Sequence, residues 1–151
     1  MGNSINTIAG IVRTHGPDLN QKVALIEGER QQTWAELYQR SCRMAQALKA
    51  AGVGGQDRVA FLDKNGIEHF EVFYGCALLN AVSVDVNWRL AAPEVLYIVN
   101  DAQAKVLIVG PDFVPILDAI ADQLTTAKTI VVIGGHERFM SYEDFVGSAD
   151  P

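Results

Sequence analysis

The sequence predicts an α/β domain: an open, mainly parallel sheet with helices on both faces, preceded by an N-terminal helix and a small hairpin. Three observations carry that expectation. Residues 58–62, 106–109 and 130–133 are near-continuous apolar runs, as strands covered on both faces must be. Stretches of helical periodicity separate them, and strands joined by such long crossovers run parallel. The 151 residues amount to about one domain, which by surface scaling can bury about 68% of its unfolded surface.

Each element has its own signal. In residues 5–14, Ile5, Ile8, Ile11 and Val12 share one helical face, and Gly16-Pro17 is expected to stop that helix. Residues 23–26 read as a strand, Gly28 as a turn and residues 30–33 as the hairpin partner. Thr33-Trp34-Ala35-Glu36 has the form of a capping box. It opens a helix with Trp34, Leu37, Ser41, Met44, Ala45, Leu48 and Ala51 on one stripe, and Gly52 is its left-handed stop.

From there strands and helices alternate. Residues 58–62 form a strand, and residues 67–81 a helix with Phe70, Phe73, Tyr74, Ala77, Leu78 and Ala81 inward. Residues 82–86 form a strand whose alternation sets one face against something polar. A helix over residues 93–102 then begins with Pro in its first turn. A strand over 105–109, a helix over 112–124 carrying Phe113, Ile116, Leu117 and Ile120, and a strand over 129–133 follow. Ser141-Tyr142-Glu143-Asp144 caps a short helix through Phe145. Residues 1–147 are therefore expected to be one domain and residues 148–151 the start of a linker.

Composition narrows the function classes. With 49% apolar and 20% charged residues the chain is not disordered, and two cysteines do not make a disulfide scaffold. A net charge of −6 argues against a nucleic-acid footprint. No apolar stretch is long enough to span a bilayer, and residues 1–6 lack the charged start and apolar run of a signal peptide. Asn6 also breaks the myristoylation pattern. A cytoplasmic setting is expected. Peripheral membrane contact through the first helix is the alternative, weakened because Arg13 is that helix's one basic side chain. Cys42 and Cys76 lack CxxC spacing and read as buried free thiols.

Motif chemistry is sparse. Gly52-Val53-Gly54-Gly55 leaves a helix and enters a strand, the wrong polarity for a phosphate loop, and reads as a turn. No GxxxxGK[ST], strand-following GxGxxG or GxSxG occurs. His15, His69 and His136 have no second ligand at helical spacing, so no metal site is expected. His69 can line a pocket at the carboxyl end of the preceding strand, though an ordinary helical histidine is the simpler reading. The acidic pairs Glu27/Glu29, Glu68/Glu71 and Glu143/Asp144 read as solvated faces or helix-start charges. Asn87-Trp88-Arg89-Leu90 stands on the carboxyl-terminal rim; a structural clamp and a ligand contact are both open, with the clamp favoured.

Taken in order, several landmarks resemble the N-terminal part of an adenylate-forming enzyme of the acyl-CoA synthetase and ligase (AMP-binding) family. They are Thr33-Trp34-Ala35-Glu36-Leu37, Ala51-Gly52-Val53 leading to Asp57-Arg58-Val59-Ala60, Asn65 with Glu68, Phe73-Tyr74-Gly75-Cys76-Ala77 and Ala81-Val82. Val86-Asn87-Trp88-Arg89-Leu90 with Glu94, residues 101–108, and Ser141-Tyr142-Glu143-Asp144-Phe145 complete the series. The Asn-x-Arg-Leu ending is similar to fatty-acyl and aryl CoA ligases. Gln56, Asn80 and Asp85 depart from the family's usual Gly, Gly and Pro.

The resemblance implies a large N-terminal domain of the adenylate-forming fold. It also implies two-step chemistry in a full-length parent: a fatty or aryl carboxylate attacks Mg·ATP to give an acyl-adenylate and pyrophosphate, and CoA then displaces AMP. Such chemistry needs a Gly/Ser/Thr-rich loop with Lys, a metal site and further cations. In the family that loop follows a stretch like residues 141–151, so no catalytic, cofactor-binding or metal-binding residue carries over to this chain. ATP, Mg and CoA are expected for the parent and none for the chain alone. The leading expectation is a scaffold segment of an acyl-CoA synthetase that self-associates through exposed surface. A stand-alone protein-interaction module without catalysis is the alternative, and a small nucleotide-binding domain is weakened by the missing phosphate loop.

Overall fold

The computed structural model describes residues 5–150; the expectations for residues 1–4 and for Pro151 lie outside them. The elements are α1 (Ile8–Asp18), β1 (Val23–Glu27), β2 (Arg30–Thr33), α2 (Trp34–Ala50), β3 (Arg58–Leu62), α3 (Ile67–Leu78), β4 (Val82–Asp85) and α4 (Ala92–Asp101). They continue with β5 (Val106–Val109), α5 (Val114–Ile120), β6 (Thr129–Val132), β7 (Met140–Ser141) and α6 (Tyr142–Gly147). β1 and β2 form the antiparallel hairpin, and the main sheet has the order β4-β3-β5-β6-β7 with every pairing parallel. Alternation along the strands divides the core between the two faces. Val59, Phe61, Val106, Ile108 and Val131 cluster with Met44, Leu48, Val72, Cys76, Tyr142 and Val146 of α2, α3 and α6. Ala60, Leu62, Leu107, Val109 and Val132 cluster with Val95, Val99, Leu117 and Ile120 of α4 and α5. α1 lies outside, where Val12 meets Leu37 and Tyr74.

Several local signals are realised. Glu36 N–H donates to Thr33 Oγ1 (3.3 Å) while Thr33 N–H donates back to Glu36 Oε2 (2.8 Å). Gly52 is left-handed at φ 86° just past the end of α2. Gly52-Val53-Gly54-Gly55 is a turn at the amino-terminal rim. There Lys105 Nζ ties Gly52 O (3.0 Å) to the Asp57 carboxylate (2.7 Å). Gln56 and Asn80, two of the departures noted above, both have positive φ (66° and 56°). Gln56 N–H donates to Asn80 O (2.7 Å) and its side-chain amide to Asn80 Oδ1 (3.1 Å), so each left-handed turn braces the other.

Four expectations are corrected. α1 runs through Gly16-Pro17, because Gly16 is a packing residue: a Cβ there would stand 2.7 Å from Tyr38 Cβ. Pro17 falls in the last turn, where its missing N–H removes one of the helix's final bonds without breaking the turns before it. The buried side of α1 is Ala9, Val12 and Gly16, which leaves Ile5 and Ile8 exposed. α3 ends at Leu78; Tyr74 is buried as expected, but Ile67, Glu71, Val72, Gly75 and Cys76 are buried with it, and Phe70 is exposed. Gly75 lets α3 pack closely on Met44 of α2, while Val72 and Cys76 cluster with the sheet and Phe73 and Tyr74 cluster with Val12 of α1. The segment over 112–124 is broken, with α5 flanked by 3₁₀ turns at Pro111–Phe113 and Ala121–Gln123. Pro115 has no N–H to continue an α-helical ladder backward. β7 was not anticipated; two residues are too few to show a periodicity.

At Gly75 a Cβ would stand 2.6 Å from Met44 Cγ, between tightly packed helices. Gly75→Ala is expected to cost about 1–3 kcal/mol through overpacking, read as a lower urea midpoint at unchanged slope.

Candidate functional site

From β3 the chain steps out to β4, then returns to β5 on the other flank of β3. The loops leaving β3 and β5 therefore diverge to opposite faces, which makes a switch-point crevice at the carboxyl ends of these strands. A cleft of about 230 Å³ lies there. It is lined by Phe61 of β3, by Asp63, Lys64, Asn65, Gly66, Glu68 and His69 after that strand, by Pro111 and Asp112 after β5, and by Glu27 of the hairpin.

Asp63 leans over Gly110, where a Cβ would collide with its carboxylate, and Oδ1 accepts from Lys64 N–H (2.7 Å). Burial pushes the Asp63 carboxyl above its ordinary range, with Asp112 and Glu68 acting in the same direction against the Lys64 N–H bond. Lys64 Nζ pairs with Asp112 Oδ2 (2.9 Å) over the rings of Trp88 and Phe113. Glu27 Oε2 accepts from Ile67 N–H (3.2 Å) at the start of α3, and Arg30 bridges Glu27 and Glu68. His69 does line the cleft, its ring stacked on Phe61 at 4.9 Å. Its Nε2 stands 3.1 Å from Asp85 Oδ1 without hydrogen-bonding alignment.

This chemistry does not fit nucleotide phosphates. Four carboxylates face Lys64 and the already paired Arg30, and the amino end of α3 is occupied by Glu27. Among the described residues no three His, Cys, Asp or Glu side chains are grouped to hold a metal ion.

A second polar centre was missed in the sequence. Glu71, read there as a solvated charge, is 1% exposed. Its Oε1 accepts from Gln32 Nε2 (2.6 Å) and Arg40 Nε (3.0 Å), and its Oε2 from Tyr142 O–H (2.7 Å). Arg40 then grips Glu143 with two bonds of 2.8 Å. Burial and the Glu71 carboxylate push the Tyr142 phenol well above its ordinary value, which keeps it a donor. A cleft of about 390 Å³ opens beside Arg40 and Glu143. One signal was available: Glu71 lies one helical turn from both Ile67 and Gly75, on the inward side of α3.

The remaining candidates line neither of these two clefts. Asn87 Oδ1 accepts from Arg89 N–H (3.0 Å) and builds the turn, while the exposed Arg89 guanidinium lies 4.0 Å from the centre of the Trp88 ring instead of tying loops together. His15 packs against Trp34, and His136 lies near Asp118 and Phe139. Both cysteines are free, Cys42 half-buried and Cys76 buried. Burial pushes the Cys76 thiol up to about 12, an inert state.

Parallel order, two covered faces and a crevice at the strand reversal define a doubly wound α/β domain. The family described as AMP-binding enzyme matches residues 13–149. The chain belongs to that family, and its counterpart there is an N-terminal part of adenylate-forming acyl-CoA synthetases. It is 39% identical over 122 residues to a long-chain-fatty-acid–CoA ligase of Thermus thermophilus, covering 79% of this chain and 23% of that protein. It is likewise 39% identical over 127 residues to a fatty acid–[acyl-carrier-protein] ligase of Streptomyces coeruleorubidus, covering 84% and 24%. The structure of an anthranilate CoA ligase in complex with anthranoyl-AMP superposes with a TM-score of 0.89 at 30% identity, over 95% of this chain and 27% of that one. The chain thus spans about a quarter of the length of these relatives. Among the described residues no helix is long and apolar enough to cross a membrane.

Arg40→Met leaves Glu71 short of its cation and is expected to cost about 3 kcal/mol, against under about 1 kcal/mol for the exposed Arg30→Ala, both by urea unfolding. Asp63 binds its proton more tightly folded than unfolded, so its contribution to stability falls as pH rises through the carboxylate range. Asp63→Asn is therefore expected to raise the melting temperature at neutral pH, with the gain vanishing in acid.

Proposed function

We propose that this chain is the N-terminal scaffold of an ATP-dependent acyl-CoA synthetase. The parent activates a fatty or aryl carboxylate as its adenylate, releases pyrophosphate, and passes the acyl group to CoA with loss of AMP. The carrying observation is the family match across residues 13–149 in a chain that spans about a quarter of its relatives. The names of those relatives supply both the fatty and the aryl substrate classes.

Within that reading residues 1–147 are scaffold and residues 148–151 lead toward the phosphate-handling loop, while ATP, Mg and CoA belong to the parent. The acidic switch-point cleft supports an inactive segment, because a triphosphate approaching it meets like charge. A cytoplasmic setting belongs to the same proposal. The purified chain is expected to show no carboxylate-dependent exchange of pyrophosphate into ATP; exchange above a protein-free blank would overturn the scaffold role.

Self-association of the chain belongs to the same proposal, with exposed Ile26 and Tyr97, each at 69%, as its candidate contacts. Sedimentation velocity is expected to show a concentration-dependent shift beyond monomer. A single monomeric boundary at all concentrations would refute it.

A further inference from the structure

The chain has seven asparagines, and Asn65 is the one followed by glycine. It sits in the bend between β3 and α3, at the mouth of the switch-point cleft. Asn65 is exposed, and among the described residues its side chain holds no hydrogen bond. Three other asparagines are held, Asn80 Oδ1 by Gln56, Asn87 Oδ1 by Arg89 N–H and Asn100 Oδ1 by Thr125, while the exposed Asn20 also holds no side-chain hydrogen bond among the described residues but is followed by Gln21 and not by glycine. Gly66 N–H is likewise unbonded among the described residues, since Gly66 is the residue before the first turn of α3.

Glycine at 66 leaves room for the Glu27 carboxylate as it sits here. A Cβ there would stand 2.8 Å from Glu27 Oε1, the carboxylate that caps α3 through Ile67 N–H. The missing side chain that lets Glu27 seat also removes what would shield the Gly66 nitrogen. We propose that Asn65 is a site of spontaneous modification, in which the folded chain deamidates through a cyclic imide. Gly66 N, losing its proton to hydroxide or water, attacks Asn65 Cγ. The N–Cγ bond forms, the Cγ–Nδ2 bond breaks, and ammonia leaves. Water then opens the ring at Cγ to give aspartate, or at the main-chain carbonyl to give isoaspartate.

Either product adds one carboxylate beside Lys64 and takes the net charge from −6 to −7. The aspartate form also places a negative charge before the start of α3, where the helix dipole favours it. The isoaspartate form lengthens the main chain at the residue preceding Gly66.

The test is incubation of the folded chain in warm, mildly alkaline buffer, followed by cleavage after glutamate. Peptide 37–68 then carries Asn65 as its sole asparagine. Mass spectrometry and isoaspartyl methyltransferase labelling are expected to show conversion there about tenfold faster than at Asn80, Asn87 or Asn100, because only at residue 66 is the attacking nitrogen flanked by glycine. Asn65→Gln is expected to abolish the acidic band on isoelectric focusing. A rate at Asn65 no higher than at the three held asparagines, or an acidic band that persists in Asn65→Gln, would overturn the proposal. Circular dichroism on each sample confirms that the chain stays folded throughout.

Discussion

Glu71 is where four elements of this fold meet. A carboxylate with 1% exposure is tolerable only when its charge and lone pairs are answered. The answers come from Gln32 on β2, Arg40 on α2 and Tyr142 on α6, converging on a residue of α3. β2 runs directly into α2, but α3 and α6 come from other parts of the chain, and none of the four belongs to the main sheet. Among the described residues the hairpin pairs with no third strand, and α6 is a six-residue helix at the far end of the described chain. A short helix and a two-stranded hairpin are both marginal alone, so their placement depends on packing and on this polar tie. Arg40 extends the tie to Glu143, which fixes the amino end of α6 from outside.

The two rims of the sheet are built differently. At the amino-terminal rim, Arg58 donates to Ala102 O, Gln56 O and Gln103 Oε1, and Lys105 joins Gly52 to Asp57. Cations there are spent on carbonyls and turns, and three non-glycine residues, Gln56, Asn80 and Gln103, hold left-handed conformations. The carboxyl-terminal rim instead gathers carboxylates around a crevice, with Asp63 seated because Gly110 has no side chain. A rim of that charge suits neither phosphate nor a tight anion. That is the physical reason the proposed chemistry is assigned to the parent and not to these residues.

The fold was legible where local chemistry decides it. The apolar runs at 58–62, 106–109 and 130–133 needed no context to be read as two-sided strands, and the Thr33–Glu36 box closed as its spacing requires. The inward faces of α1 and α3 were read only in part, with Val12 and Tyr74 buried as expected, because Gly16 and Gly75 carry no hydrophobic signal, yet they set how closely the helices approach. A pattern of apolar side chains cannot show where an absent side chain is the contact.

The sequence by itself determined the alternation of strands and helices, the parallel connection and the family resemblance, because each rests on residues near one another in the chain. Only the tertiary structure decided the strand order, the charge of the switch-point cleft and the burial of Glu71. Gln32, Glu71 and Tyr142 lie 39 and 71 residues apart, and nothing local announces that they share one carboxylate. The cost of an unpaired buried charge is a property of the assembled interior, where water can no longer answer it.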